Sequence, residues 1–214
     1  MERVRHLLEG NELFRKSYFR KHEDRLLNLA QHGQHPRILF IGCADSRVIP
    51  DMITNAAPGD LFVLRNVGNF VAPHKPDEDY HAMAAGIEFA VNSLSVSDIV
   101  VCGHTHCGAI AALYDGDLDE KRFVHTRKWL SLGARAQTMA RAALGDGADG
   151  TELRRLTEML SVVTQIEHLL TYPYVRETVA DGRLHLHGWM YDIETGEIRY
   201  YDPDRQHFRK WRGA

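Results

Sequence analysis

The stretch RILFIGCADSR, residues 37–47, places a continuous apolar run directly before a group of thiol and charged side chains. A short apolar run without alternation is typical of a strand that is buried on both faces of a sheet. The stretch DIVVCGHTHCG, residues 98–108, has the same arrangement, with an apolar run followed by two histidines and a cysteine. Residues 61–64, LFVL, lie between them in the chain and predict another strand of this kind. Two of these strands therefore end in chemically reactive residues.

Helical patterns separate and follow these strands. Near the C-terminus, two extended segments flank a Glu-Thr-Gly turn and predict a hairpin or a short strand return. Alternating strands and helices predict an α/β fold, a mostly parallel central β-sheet flanked by helices, with an N-terminal helical arm. No linker or repeat divides the sequence, so residues 1–214 are expected to form a single domain. The helical segments are residues 1–32 (within an arm of residues 1–33), 77–94, 108–113, 121–142 and 151–171, and the hairpin strands are 184–191 and 197–201.

Charge and composition exclude several classes of function. The 214 residues include 26 Lys and Arg against 29 Asp and Glu, a net charge of −3, so no basic surface is expected for nucleic acid. No apolar run approaches the ~20 residues that cross a membrane. The charged N-terminus lacks an apolar signal core, and the 3 cysteines are too few for a disulfide scaffold, which favours a cytoplasmic location. No G-x-G-x-x-G follows the first strand, which excludes a dinucleotide enzyme.

Three side chains at the strand ends are candidate metal ligands. Functional residues of α/β sheets collect at the carboxyl ends of strands, so Cys43, His104 and Cys107 can converge if their strands are neighbours. Thiolate and imidazole are ligands that zinc prefers, and three protein ligands leave a fourth position open, as in catalytic zinc sites. Cys102 lies within its strand, one residue before Gly103, and is predicted to be a buried core residue rather than a ligand.

A carboxylate and a guanidinium follow the first candidate ligand. Asp45 can accept a hydrogen bond from a metal-bound water or bind the metal itself. Arg47 can donate two hydrogen bonds to that carboxylate and hold it away from the metal. A zinc site of purely structural function has no use for such a pair.

The motifs together resemble the β-class carbonic anhydrases. Cys43-x-Asp45-x-Arg47 followed by Gly103-His104-x-x-Cys107-Gly108 carries the resemblance. The segments PGDLFVLRNVGN, residues 58–69, and LHGWMYD, residues 186–192, are also similar to segments of that family. The similarity extends over essentially the whole chain.

The resemblance implies a site and an activity. Cys43, His104 and Cys107 would bind one Zn²⁺ per subunit, with water or hydroxide in the fourth position. Asp45 would orient the hydroxide, and Arg47 would hold Asp45. The implied reaction is reversible hydration of CO2 to bicarbonate and a proton, through attack of zinc-bound hydroxide on CO2. The implied assembly is a homodimer or an oligomer built from dimers, in which the N-terminal arm embraces a second subunit.

Two further features concern regulation and proton transfer. Some members of the family hold an inhibitory bicarbonate beside a tryptophan, an arginine and a tyrosine. Arg65 and Tyr191 match the last two, but Phe40 stands where the tryptophan is expected, so the indole N–H donor is missing. His106, next to Cys107, is either a proton shuttle to solvent or an ordinary surface residue.

Two other functions use the same motifs. Relatives of this fold hydrolyse carbon disulfide or carbonyl sulfide, which are linear and apolar like CO2, and the motifs do not define the access channel that would discriminate among these substrates. A non-catalytic zinc-binding module is the other alternative, and the Asp45–Arg47 pair argues against it.

Overall fold

The computed structural model describes residues 2–77, 79, 81–115, 118–145 and 147–213. The chain divides into two compact units, residues 1–35 and 36–214. The helices are α1 Arg5–Phe14, α2 Glu23–His32, α3 Pro50–Thr54, α4 Ala82–Glu88, α5 Gly108–Asp115, α6 Val124–Leu130, α7 Ala134–Leu144, α8 Gly150–Leu169 and α9 Pro173–Ala180. The strands are β1 Ile38–Cys43, β2 Leu61–Asn66, β3 Asp98–His104, β4 His185–Tyr191, β5 Ile198–Asp202 and β6 His207–Lys210.

The N-terminal unit is helical, as the sequence predicts. Its helix is not a continuous α-helix, however: α1 passes into a π-helical segment over Arg15–Phe19, and the chain leaves helical geometry at His22, just before α2. Gly33, with φ of 82°, ends α2 in a conformation that favours glycine. The side chains of Leu7, Leu8 and Leu13 are exposed.

A six-stranded sheet with the order β2-β1-β3-β4-β5-β6 forms the centre of the second unit. The pairs of β1 with β2, β1 with β3 and β3 with β4 are parallel, whereas β4, β5 and β6 pair antiparallel. This topology confirms the mostly parallel α/β fold and the C-terminal hairpin. Strand β6 was not predicted, because its four residues, HFRK, contain too few apolar side chains to give a pattern.

Several helix boundaries differ from the predicted ones. The segment 121–142 is two helices, α6 and α7, joined by a 3-10 turn over Ser131–Gly133. A Cβ on Gly133 would lie 2.8 Å from Leu113 Cδ1, so this close packing requires the glycine. In the segment 77–94, helix begins only at Ala82 and passes into a π-helical segment over Phe89–Ser93. Helices α3 and α9 were missed, and both are short helices that begin at a proline.

Both faces of the sheet carry a hydrophobic cluster, which explains the continuous apolar runs of β1 and β3. Leu39 and Ile41 of β1 contribute to a large cluster that also contains Val162 of α8. Phe40 and Cys102 belong to a second cluster on the other face. The fully buried Cys102 confirms the prediction of a core residue. Among the helices that the structure describes, none has both the length and the apolar character needed to span a membrane.

Close packing of α8 on β3 depends on Gly103, and we expect Gly103→Ala to destabilise the fold. The added Cβ would lie 2.6 Å from Val162 Cγ2 and 3.4 Å from Met190 Sδ. Overpacking of this kind costs about 1–3 kcal/mol of unfolding free energy, measurable by urea denaturation. At Gly150, the first residue of α8, the nearest atom to an added Cβ is Arg154 Nη2 at 3.7 Å. Gly150→Ala should therefore not destabilise the fold. An equal loss of unfolding free energy in Gly103→Ala and Gly150→Ala would contradict the packing argument.

Candidate metal centre

The carboxyl ends of two neighbouring strands bring the three candidate ligands together. Strands β1 and β3 pair in parallel with Gly42 opposite Cys102, so Cys43 and His104 end adjacent strands. Cys107 immediately precedes the first residue of α5. The two Sγ atoms and a ring nitrogen of His104 lie within 4.8 Å of one another, and all three residues are buried.

The ring of His104 is oriented as a metal ligand requires. Its Nδ1 lies 2.9 Å from the carbonyl oxygen of Thr105, so Nδ1 carries the proton and donates it. Its Nε2 is buried and has no hydrogen-bond partner among the described residues. A buried polar atom without a partner is costly, and a carbonyl that fixes the ring tautomer is the usual outer contact of a metal-binding histidine. The nitrogen therefore fits a site for a metal ion.

The two thiols are linked to each other and to the backbone. A hydrogen bond with Cys107 is the main effect that lowers the pKa of Cys43, against the opposing effect of burial, and the same bond raises the pKa of Cys107. The backbone N–H of Gly68 also donates to Cys43 Sγ, at 3.4 Å. A metal ion binds cysteine as the thiolate, so metal binding here would release the thiol protons.

The segment that precedes α7 contacts the same part of the site. The indole Nε1 of Trp129 donates to the carbonyl oxygen of Val67 at 2.7 Å, and this carbonyl belongs to the peptide whose N–H donates to Cys43. Leu130 packs in the hydrophobic cluster that contains both Cys43 and Cys107. These contacts were not predicted, since none of the motifs identified in the sequence lies between residues 115 and 150.

Asp45 and Arg47 form the predicted paired contact. Arg47 Nε donates to Asp45 Oδ1 at 2.9 Å and Arg47 Nη2 donates to Oδ2 at 2.7 Å, while the backbone N–H of Arg47 donates to Oδ1 at 3.0 Å. These hydrogen bonds hold the pKa of Asp45 well below its usual range, and the bonds from the Arg47 side chain have the largest effect. Asp45 is therefore a carboxylate at neutral pH, fixed in orientation beside Cys43.

Phe40, Arg65 and Tyr191 lie on one face of the sheet but on different strands. Phe40 is fully buried and contacts Trp189 edge-on, with ring centroids 6.2 Å apart. Arg65 donates to the carbonyl oxygens of Cys43 at 2.9 Å and Asp45 at 2.7 Å, a backbone contact that the sequence did not predict. Two strands, β1 and β3, separate Arg65 on β2 from Tyr191 on β4. A bicarbonate pocket at these residues stays a prediction.

A buried glutamate that the sequence analysis missed contacts the ligand loop. Glu158 of α8 is 4% exposed, and its Oε1 accepts the backbone N–H of Cys107 at 3.0 Å. Its Oε2 lies 3.1 Å from Arg155 Nη1. Burial raises the pKa of Glu158, and the contacts with Cys107 and Arg155 oppose that effect. A charged residue one turn before Val162, on the apolar side of a predicted helix, was the signal that could have identified it.

Comparison with known proteins gives consistent matches over most of the chain. A family model described as carbonic anhydrase matches residues 38–198. The carbonic anhydrase of Synechococcus elongatus is 41% identical over 198 residues, which cover 91% of this chain and 70% of the relative. The structure of the β-carbonic anhydrase CcaA is similar with a TM-score of 0.91 at 36% identity, covering 100% of this chain and 94% of the other. A structure reported with two tetrameric β-carbonic anhydrases from Sordaria macrospora has a TM-score of 0.82 at 32% identity, covering 94% and 97%.

Proposed function

The chain belongs to the β-carbonic anhydrase family, enzymes of CO2 hydration, and from that membership we propose that Cys43, His104 and Cys107 hold the Zn²⁺ ion of its active site. The observation that carries the proposal is the convergence of two thiols on a buried imidazole nitrogen that has no other partner among the described residues. Zinc accepts this donor set in tetrahedral geometry. Three ligands from the protein leave the fourth position for chemistry.

When bound, zinc acts as a Lewis acid that makes hydroxide available near neutral pH for attack on the carbon of CO2. The residues of the chain then have separate tasks. Cys43 and Cys107 supply the negative charge that holds the metal, and Thr105 keeps His104 in the tautomer that binds through Nε2. The buried surroundings of the two cysteines keep bulk water away from the ligands.

Asp45 and Arg47 are proposed to orient the nucleophile. Asp45 lies two residues from Cys43 and keeps a free lone pair on Oδ2, which accepts only one of the hydrogen bonds from Arg47. That lone pair can accept a hydrogen bond from the attacking group and so direct the reactive lone pair of that group toward CO2. Arg47 keeps the carboxylate deprotonated and prevents it from turning toward the metal.

Zinc content and CO2 hydration of the purified protein test this proposal together. We expect one Zn²⁺ per chain by elemental analysis and rapid hydration by stopped-flow at pH 7 and pH 8.5. Stoichiometric zinc without hydration at either pH would contradict the reaction. Carbon disulfide hydrolysis by the same sample would then indicate the sulfur substrates, and inactivity toward both would indicate a non-catalytic zinc module.

The hydration rate is expected to rise with pH. Two thiolates cancel the charge of Zn²⁺, whereas three neutral imidazoles would not, so ionisation of the reacting water requires a more alkaline medium. Asp45 itself does not titrate between pH 6 and 9, because its lowered pKa leaves it ionised throughout that range. Turnover should therefore increase steadily from pH 6 to pH 9 in stopped-flow assays, and a flat profile would contradict the assignment of two thiolate ligands.

We further propose a homodimer or a dimer-built oligomer, located in the cytoplasm. The similar protein from Sordaria macrospora is described as tetrameric. The exposed leucines of α1, which are Leu7, Leu8 and Leu13, offer apolar area for a contact with a second copy of the chain. Analytical ultracentrifugation of the full chain tests this assembly, and a monomer at micromolar concentration would contradict it.

A further inference from the structure

The loop between the two ligands of the second motif adopts an unusual backbone conformation. His106 has φ of 59°, in the left-handed region that residues other than glycine rarely occupy. The carbonyl oxygen and the N–H of the trans peptide between His106 and Cys107 point to opposite sides, so each can reach a different partner. Its carbonyl oxygen accepts Arg47 Nη2 at 3.1 Å, and its N–H donates to Glu158 Oε1 at 3.0 Å. One peptide thus connects Arg47 to Glu158.

Glu158 is in turn held by charged groups on the outer side of the loop. Arg155 Nη1 lies 3.1 Å from Glu158 Oε2, and the positive charge of this arginine compensates the charge of the buried carboxylate. Arg155 Nη2 lies 2.5 Å from His106 Nε2 and 3.8 Å from a carboxylate oxygen of Glu194. The same histidine nitrogen lies 3.2 Å from the other oxygen of Glu194. Helix α8 therefore contacts both the backbone and the side chain of the loop.

We propose that Glu158 is a positioning residue of the zinc site. Its carboxylate holds the left-handed loop, so that Cys107 points its thiol at the metal position and the carbonyl of His106 points at Arg47. Glu158 lines the same small cavity as His104 and Cys107, and it acts through the peptide of Cys107. The side chain reaches the Cys107 N–H from a residue 51 positions away in the chain, and this bond holds the loop against its own backbone preference. The inference rests on the proposed zinc site.

Two substitutions of Glu158 separate the effect of its side-chain length from the effect of its charge. Glu158→Asp keeps the charge but withdraws the oxygen from the Cys107 N–H by the length of one methylene group. Glu158→Gln keeps the reach and an oxygen acceptor but removes the charge. If the residue positions the loop, aspartate is the more harmful substitution; if it only balances charge, glutamine is.

The experiment measures the rate at which zinc passes from each zinc-loaded variant to an excess of a coloured chelator. We expect Glu158→Asp to release zinc roughly tenfold faster than wild type, and Glu158→Gln to stay within about threefold of it. The control is Glu167→Ala, which removes another glutamate of α8 that pairs with an arginine, Arg135, and which should release zinc at the wild-type rate. The reverse order of the two Glu158 variants, or wild-type rates in both, would overturn the proposal.

A second substitution separates loop strain from general loss of stability. Glycine adopts the left-handed conformation without cost. In the His106→Gly variant the loop should therefore keep its conformation largely without the hydrogen bond to Glu158. We expect Glu158→Asp to accelerate zinc release about tenfold in the wild-type background but less than about threefold in the His106→Gly background. An equal acceleration in both backgrounds would overturn the role in holding the loop. If the wild-type protein neither binds zinc nor hydrates CO2, the proposed function itself is overturned. The wild type is therefore assayed before any variant is made.

Discussion

Replacement of Cys107 by alanine is expected to release the zinc and to lower CO2 hydration below about 1% of the wild-type rate. The substitution removes one of two thiolates and leaves Cys43 and His104 as the remaining ligands of the group. Two protein ligands do not retain zinc against dilution, and without the metal no group of the site can generate the nucleophile near neutral pH. Zinc content and stopped-flow hydration at pH 8.5, at equal protein concentration, measure both losses.

The third cysteine of the chain provides the matched control. Cys102 is fully buried in the cluster on the other face of the sheet, and its thiol contacts the carbonyl oxygen of Gly103 at 3.5 Å. Cys102→Ala leaves a small cavity, which costs stability but does not touch the ligands. It should keep stoichiometric zinc and hydration within about twofold of wild type. A Cys107→Ala variant that still binds zinc and hydrates CO2 would eliminate this residue as a ligand.

Substitution of Asp45 by asparagine is expected to lower turnover about 100-fold without loss of zinc. Asparagine has nearly the same size, but it replaces one acceptor oxygen by an NH2 group and removes the charge. The paired hydrogen bonds from Arg47, at 2.9 and 2.7 Å, can then no longer both form. The nucleophile loses its acceptor and its orientation. Stopped-flow hydration per bound zinc, between pH 7 and pH 9, measures the effect.

The chain offers a second Asp-x-Arg pair for comparison. Arg183 Nη2 donates to Asp181 Oδ2 at 2.8 Å, and both side chains are largely exposed. Surface ion pairs of this kind contribute little to stability. Asp181→Asn should therefore leave zinc content and turnover unchanged within about twofold. If Asp45→Asn were equally harmless, Asp45 would have no part in the reaction.

Much of this site was predictable because the residues that carry its chemistry lie in short segments of the sequence. Each candidate ligand follows an apolar run, and parallel strands meet with their carboxyl ends at one edge of the sheet. The neighbouring positions of β1 and β3 confirm that Cys43 and His104 converge. The Asp45–Arg47 contact was equally predictable, since its members are two positions apart in the chain and its geometry is local.

Contacts between distant segments were not predictable in this way. The bond of Cys107 to Glu158 joins residues 51 positions apart, and that of Trp129 to Val67 joins residues 62 apart. The left-handed conformation of His106 gave no signal either, because residues other than glycine adopt it in only a few per cent of cases. Each of these features exists only because α6 and α8 pack beside the ligand loops.

The alternation of strands and helices, the mostly parallel sheet and the identity of the three candidate ligands followed from residue type and spacing alone. These properties depend on the burial of apolar runs and on the ligand preference of a metal, both of which act over a few neighbouring residues. Only the tertiary structure decided where the predicted helix 121–142 breaks, which carbonyls Arg65 binds and that a buried glutamate holds the peptide of Cys107. These features depend on the close approach of segments far apart in the chain, and packing determines that approach only when all of them are in place.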